Sequence, residues 1–402
     1  MGNISFVIGS GFSYPREIPG VTELGELLIR TKSDNLYYHT SQSVSRVHST
    51  GLERSMLNSI YNKFYEEFLI FYLGKNTNFN YEVFFDYYYS LYRSGAYDEN
   101  FKCFVENFLN NAGRENYSAK DLLLKFHNIY SHLVSDFLKV EEFYDETNSR
   151  NSLLYSSFLW LISRILQDKV VNIHTSNHDL LVEDILNKNS VLQRKFSDGY
   201  TSSGSKYFAE VLFESAKIRV RHKVRLRYFS EEYNKSLRVF KLHGSVDTYV
   251  FQETDEIRIK SVPGIWDYFT EETNENGGLV YSRIHPDEKY PEFLTGKNSK
   301  SSYFYEQKYF KKLFNHFKNN ISECDALIII GYGFGDELIN QCILEKFDDR
   351  NKLLIVIDIA NKESLLKKLP VSMENFHYFN KSIDDLNETD VEVIMNLLNK
   401  IS

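Results

Sequence analysis

The chain has 402 residues, 42% hydrophobic and 25% charged, with a formal net charge of −8 at neutral pH. This composition suits a globular protein with core enough for two domains, or for one large domain with an insertion. The acidic balance excludes a general binder of nucleic acid or anionic membrane, though not a local basic patch. Cys103, Cys324 and Cys342 are too scattered for a disulfide framework or a zinc ribbon, so no metal is expected. No apolar run approaches a bilayer span and no basic n-region with a cleavage site opens the chain, so a cytoplasmic location is expected.

The first predicted element is the β-rich run Ile4–Ile8, which meets Gly9-Ser10-Gly11-Phe12-Ser13. A strand running into Gly-x-Gly can open a dinucleotide-binding unit, because glycine lets the backbone approach a pyrophosphate and a following helix presents its N-terminal amides. Tyr14 stands where a third small residue would be expected. A plain tight turn accounts equally well for a lone Gly-x-Gly. Pro15 and Pro19 predict an extended segment, followed by a helix from Thr22 as N-cap with Leu24, Leu27 and Leu28 on one face.

Residues 31–166 have a different character. Arg30–Gly51 is polar and weakly periodic, which predicts a loop, and beyond it apolar residues recur at helical spacing. Met56, Ile60, Phe64, Phe68 and Phe71 mark one helix, Phe101, Phe104 and Phe108 a second, and Leu122–Leu138 and Leu153–Leu166 two more. The domain expectation is therefore one sheet-based domain over 1–30 and 167–402, interrupted by an all-helical insertion at 31–166. The chain holds 29 Tyr and 31 Phe. Those of the insertion are expected to pack its core, and any exposed surplus would mark subunit contacts, hence a homo-oligomer.

The stretch Asp168–Asp184 organises the rest. Val170, Val171 and Ile173 predict a buried strand, His174–Asp179 a polar turn, and Leu180, Leu181 and Ile185 a helix. Such a turn at a strand's carboxyl end is where open α/β sheets bind ligands. Asn177 and Asp179 lie two residues apart and could face one ligand, or could simply cap the helix. Next come a polar stretch, Gln193–Ser205, and a short helix expected over Tyr207–Ala216. Lys217–Arg227 puts a base at every odd position, so as a strand it carries all its bases on one face. That face is either a solvated sheet surface or a surface for nucleic acid or an acidic partner.

Ser236–Leu242 predicts a strand ending in His243-Gly244-Ser245, where an imidazole could serve as general base. Thr254–Lys300, broken by Gly and Pro, is expected to be irregular. After an amphipathic helix over Tyr303–Asn319, Ala326–Ile330 predicts a buried strand running into Gly331-Tyr332-Gly333-Phe334-Gly335-Asp336, with a helix from Glu337. Leu353–Ile357 predicts another, ending in Asp358, an acid placed as ribose hydroxyls require. Val391–Ile401 predicts the last helix. The expected fold class is α/β, with a Rossmann-like parallel sheet and a large all-helical insertion.

Together these strand ends carry Gly9-Ser10-Gly11-Phe12-Ser13, Thr175-Ser176-Asn177-His178-Asp179, Lys241-Leu242-His243-Gly244-Ser245 and Gly331-Tyr332-Gly333-Phe334-Gly335-Asp336. In order and chemistry they resemble the sirtuin-like NAD-binding family, and within it the NAD-destroying branch of bacterial antiphage defence. The resemblance covers about 1–30 and 170–358. It implies a sirtuin-like sheet and a hydrolase that cleaves NAD to nicotinamide and ADP-ribose, depleting NAD in abortive infection. It further implies Asn177 and His243 as catalytic residues, with Asp179 contacting nicotinamide or ordering its loop. Gly9, Gly11 and Ser13 would cradle the pyrophosphate, and Gly331, Gly333 and Asp358 would meet the adenosine side. Phe12, Thr175, Ser245 and Phe334 would be further NAD contacts. A HerA-type ATPase is one partner the resemblance implies. The family's four-cysteine zinc module has no counterpart here, which counts against a deacylase or ADP-ribosyl transferase. The remaining alternative is a module that senses NAD or an ADP-ribose derivative without cleaving it.

Overall fold

The structure is a computed structural model. It describes residues 2–33, 36–38, 44–46, 60–76, 78–113, 116–138, 153–201, 203–215, 218–251, 257–261, 265–286, 291–294, 296, 307–348, 350–371 and 374–401. The chain divides into two compact units. The first comprises Met1–Ile18, Val140–Glu288 and Tyr303–Ser402, and the second Pro19–Lys139 with Lys289–Ser302. The helix after the first strand, Val21–Arg30, thus groups with the second unit rather than with the sheet.

The first unit is built on a seven-stranded sheet. Its strands are β1 (Asn3–Ile8), β2 (Val170–Thr175), β3 (Phe196–Ser197), β4 (Leu237–Lys241), β5 (Ala326–Ile330), β6 (Leu353–Ile357) and β7 (Phe376–Phe379). They lie in the order β7-β6-β5-β1-β2-β4-β3 and every pairing is parallel. β5 and β6 are buried at every position, the signature of strands covered on both faces, and their sequences ALIII and LLIVI supply nothing polar to either face. On β1, Ser5 Oγ donates to the carbonyl of Asn320 in the helix Lys308–Glu323, while the Phe6 ring meets Phe158 of the helix Ser156–Ile165 edge-on. Successive side chains of a strand point to opposite faces, so these two helices cover opposite sides of the sheet.

The register brings the carboxyl ends level. Ile8 stands opposite Thr175 and Ile330, Thr175 opposite Lys241, and Ile330 opposite Ile357. From β1 the chain builds one half of the sheet through β2, β3 and β4, then returns to β1's other side for β5, β6 and β7. The switch point, the ligand crevice of open α/β sheets, lies at the end of β1.

Several local expectations are corrected. Tyr207–Ser215 is a strand, not a helix, paired on one side with Ile218–Arg225 and on the other with Ile265–Thr273. Its alternate residues Tyr207, Ala209 and Val211 enter a cluster with Leu226, Phe251 and Ile259, so pairing and burial override the local helical reading. The stretch expected to be irregular holds the strands Ile257–Lys260, Ile265–Thr273 and Leu279–Ile284. The Lys217–Arg227 stretch does form a strand, Ile218–Arg225. Three of its bases meet groups of their own unit: Arg221 lies 3.4 Å from Glu210, Arg225 lies 3.6 Å from Glu271, and Lys223 sits 3.6 Å above the Tyr281 ring. Lys217 itself lies outside the described residues.

In the second unit the first helix starts at Val21, with Gly20 as N-cap in place of Thr22, because the Glu23 carboxylate reaches back to the Gly20 N–H at 3.0 Å. Within the polar stretch expected to be a loop, Leu36–Tyr38 and Val44–Arg46 pair antiparallel. The helices Ile60–Leu73, Tyr81–Ser94, Glu99–Ala112 and Ala119–Leu138 turn their aromatics inward. Phe64, Tyr65, Phe68, Phe84, Tyr88, Phe101, Phe126 and Tyr130 are all buried. Phe68 alone packs edge-on against Phe101 and Phe126 with ring centroids 5.4 and 5.0 Å apart. Tyr65 and Tyr130 satisfy their hydroxyls on the carbonyls of Leu28 and Tyr81. None of the exposed large hydrophobic residues described between 60 and 138 is aromatic. Among the described residues, the aromatics of these helices serve chiefly to fill their core.

Candidate functional site

The turn after β1 is two 3-10 turns, Ser10–Phe12 and Tyr14–Arg16, the second of which replaces part of the extended segment expected from Pro15. Its amides are committed to backbone: Gly9 to the Ile330 carbonyl, Gly11 to Gly331, Phe12 to Gly9 and Ser13 to Ser10. A Cβ on Gly9 would stand 2.5 Å from the Tyr332 Cα, and one on Gly11 2.8 Å from the Gly331 Cα. The glycines serve to press the first turn against the turn after β5.

That contact brings three residues singled out in the sequence into one chain of hydrogen bonds. Asn177 Nδ2 donates to the Gly9 carbonyl at 3.0 Å and to Ser13 Oγ at 2.9 Å, and Ser13 Oγ donates to Asp179 Oδ2 at 2.9 Å. All three side chains are buried. The other carboxylate oxygen of Asp179 accepts from the Leu181 N–H, so Asp179 both orders the helix Leu181–Lys188 and completes the polar chain. Thr175 Oγ1 accepts from the Asn177 N–H at 3.0 Å, fixing the turn from the strand end. Phe12 is buried between Tyr155 and Phe158, and its carbonyl accepts from Tyr155 Oη at 2.9 Å. Burial first, then the charge of Asp179, pushes the Tyr155 phenol well up, with Arg16 opposing. It stays a neutral donor.

The neighbouring strand end carries His243. Leu242 N–H donates to the Thr175 carbonyl and Val246 N–H to that of His178, so the two turns are laced together. Lys241 Nζ, itself buried, donates to the Asp179 carbonyl and lies 3.6 Å from Glu183. Burial raises the Glu183 carboxyl above its ordinary range despite Lys241 and Lys260. Gly244 at φ +82° makes the turn after His243. His243 is 2% exposed, with its Nε2 3.1 Å from Asp336 Oδ2 and its ring 6.0 Å from that of His178.

On the other side of β1, Gly331 donates to the Ile357 carbonyl. Asp358 at the end of β6 is buried, with Oδ1 accepting from the Ala360 N–H at 2.8 Å and its own carbonyl accepting from Tyr378 Oη. Gly333 and Gly335 face open space where a Cβ would stand. Phe334, buried, holds φ +53°, a conformation non-glycine residues rarely adopt.

The strand ends thus assemble Gly9, Phe12, Ser13, Thr175, Asn177, Asp179, His243 and Ser245 beside β1, with Gly331, Gly333, Phe334 and Asp358 across β5 and β6. Sequence reasoning passed over Arg16 and gave Asp336 no role of its own. Their only signals were a base beside a Gly-x-Gly turn and an acid at a helix start. Features that suit a polar dinucleotide are the Ser245 hydroxyl, buried with no hydrogen-bond partner among the described residues, and the open faces of Gly333 and Gly335. Arg16 Nε is likewise buried without a hydrogen-bond partner. Burial raises the Cys324 and Cys342 thiols to about 11 and about 12, leaving both protonated at neutral pH. Among the described residues no cluster of three or more His, Cys, Asp or Glu could hold a metal ion, and no helix is long and apolar enough to cross a membrane.

No protein-family model matches the chain, and no curated protein does. Among solved structures it is similar to a Sir2 homolog–NAD complex, with 10% identity and TM-score 0.34 over 100% of this chain and 91% of the other. It is also similar to a Sir2 homologue mutant bound to ADP-ribose, at 8% identity and TM-score 0.37 over 99% and 93%. A Sir2–p53 peptide–NAD+ complex is a further likeness, at 10% identity and TM-score 0.32 over 99% and 94%.

Proposed function

We propose that the chain is an NAD hydrolase that cleaves the bond between nicotinamide and ribose, releasing nicotinamide and ADP-ribose. The observation that carries this reading is the buried chain Asn177–Ser13–Asp179 at the switch point of the sheet, with a buried histidine on the next strand end. Nicotinamide is a cationic substituent that leaves neutral, so the reaction needs little general-acid help. It needs the ribose held, bulk water excluded and one water positioned, as at other oxocarbenium centres. The polar chain provides a buried carboxylate and amide for that end of the substrate. His243 takes a proton from the attacking water or a ribose hydroxyl, so that NAD+ and water give nicotinamide, ADP-ribose and H+. Asp358 and the open faces of Gly333 and Gly335 serve the adenosine side, and Ser245 offers its free hydroxyl. Depletion of NAD in antiphage defence, gated by self-assembly or a HerA-type ATPase, belongs to the same proposal and rests on the motif resemblance.

The test is incubation of purified full chain with NAD, with nicotinamide and ADP-ribose quantified. Asn177→Ala and His243→Ala are each expected to lose roughly 100-fold or more in kcat while keeping the fold. One observation favours a second reading: the Asn177 amide is already bound to Gly9 and Ser13, as in a rigid ligand-sensing site. NAD bound but recovered intact, at every protein concentration and with the neighbouring gene's product present, would establish the sensor and sink the hydrolase.

A further inference from the structure

We infer that Asp336 is a positioning residue for His243, and that the loop after β5 is built to present its carboxylate to that ring. The inference rests on the hydrolase reading for its catalytic meaning and on geometry for the pairing. Asp336 divides its two oxygens. Oδ1 accepts from the N–H groups of Leu338 and Ile339 at 3.0 and 3.1 Å, capping the helix Glu337–Lys346, and Oδ2 lies 3.1 Å from His243 Nε2, a charge contact rather than an aligned hydrogen bond. A cap uses one oxygen, and a serine or asparagine would do as well. The second oxygen is what needs a carboxylate.

The loop that carries it follows a left-handed path that costs nothing at its glycines and is unfavourable only at Phe334. Gly331, Gly333 and Phe334 adopt φ of +56°, +63° and +53° in the four residues before Gly335. Two side chains lock this path: Tyr332 Oη donates to the Asp336 carbonyl at 3.0 Å, and Asn340 Nδ2 donates to that of Phe334 at 3.1 Å. Strain over-determined by its surroundings marks a loop shaped for use rather than for stability. The product of this shape is a carboxylate facing a buried imidazole that comes from a different strand. A negative charge beside Nε2 favours the tautomer with its proton on that nitrogen and stabilises the imidazolium formed when the ring takes up a second proton. The other titratable ring against His243 is that of His178, at 6.0 Å.

Asp336→Asn separates the cap from the carboxylate. With the asparagine oxygen kept on Leu338 and Ile339, its NH2 replaces the negative charge beside His243 Nε2, so the preference for a proton on that nitrogen turns to the other. The full chain should keep its thermal midpoint, while imidazole 15N shifts, recorded without NAD, should show the His243 tautomer reversed. With NAD, kcat should fall roughly 10- to 100-fold at a KM within about twofold of wild type. Asp336→Ala should lose the same kcat and lower the thermal midpoint as well. An unchanged tautomer in Asp336→Asn, or kcat within about twofold of wild type, would overturn the inference. Should the wild type release no nicotinamide at all, the hydrolase reading falls, and the 15N shifts alone decide the pairing.

Discussion

At the residue scale, the site turns on a serine whose importance lies in what it joins. Ser13 Oγ accepts from Asn177 and donates to Asp179, so it orients both without needing to ionise. Ser13→Ala leaves a buried amide donor and a buried carboxylate oxygen each short of a partner. An unpaired buried polar group costs about 1–3 kcal/mol, and water entering the gap recovers part of it. The expected outcome is a thermal midpoint lowered by a few degrees together with a loss of NAD cleavage much larger than that destabilisation explains. Calorimetry beside a nicotinamide assay checks both, and an unaltered rate would remove the polar chain from the mechanism. The sequence made Ser13, Asn177 and Asp179 visible as types, because small and polar residues after apolar runs mark strand ends. Their bonding was not visible, since Ser13 stands more than 160 positions from both partners. The Asp336 contact with His243 was hidden for the same reason, and also because an acid before a helix is fully explained as a cap.

At the scale of elements, legibility followed burial on both faces. β5 and β6 are short continuous apolar runs, and β1, β2 and β4 are mostly buried with apolar residues on both faces, so no partner is needed to recognise them. Tyr207–Ser215 and the strands between 257 and 284 owe their shape to pairing with other strands, so their own letters misled. The glycines divide in a way the sequence could not show. Gly331 at φ +56° would put a Cβ 2.6 Å from the Gly11 carbonyl carbon, whereas Gly333 at φ +63° meets nothing within 4 Å. Gly331→Ala therefore has both strain and a backbone clash, and should destabilise the protein by roughly 2–4 kcal/mol. Gly333→Ala has the conformational cost alone, about 1 kcal/mol. Its main effect should fall on ligand affinity, because its methyl enters the open face proposed for the nucleotide. Chemical denaturation and NAD titration of the two variants distinguish these costs. Equal stability losses with unaltered affinity would refute the assignment of an open binding face to Gly333.

At the scale of the whole molecule, each compact unit buries a histidine as a neutral ring, and this sets the response to acid. His174 on β2 is fully buried, stacked on Phe240 at 4.8 Å and edge-on to Phe317 at 5.0 Å, and burial lowers its pKa to about 3. His127 in the helical unit, 3.0 Å from Tyr88 Oη, is lowered by burial to about 4. Both folded values lie below the ordinary 6.5, so the unfolded chain takes up protons first as the pH falls. Stability is then complete above pH 6.5 and declines through the window from 6.5 to about 3 or 4, by on the order of 3 kcal/mol for His127 and about 5 kcal/mol for His174. Asp198 adds a separate and later loss. Burial would raise its carboxyl, but Lys260 at 2.8 Å and Arg227 outweigh that and hold it at about 2. A depressed acid contributes stability above its unfolded value of 3.8 and loses it only between there and about 2. Unfolding in mild acid should therefore begin with the histidines, well before Asp198 is protonated. His174→Phe keeps the aromatic stack and removes the titration, so the drop in thermal midpoint between pH 7.5 and 5 should shrink by several degrees. His127→Phe should act likewise on the helical unit, at some cost from the Tyr88 hydroxyl it leaves unpaired. If both variants keep the wild-type slope of midpoint against pH, the buried histidines are not what makes the fold sensitive to acid.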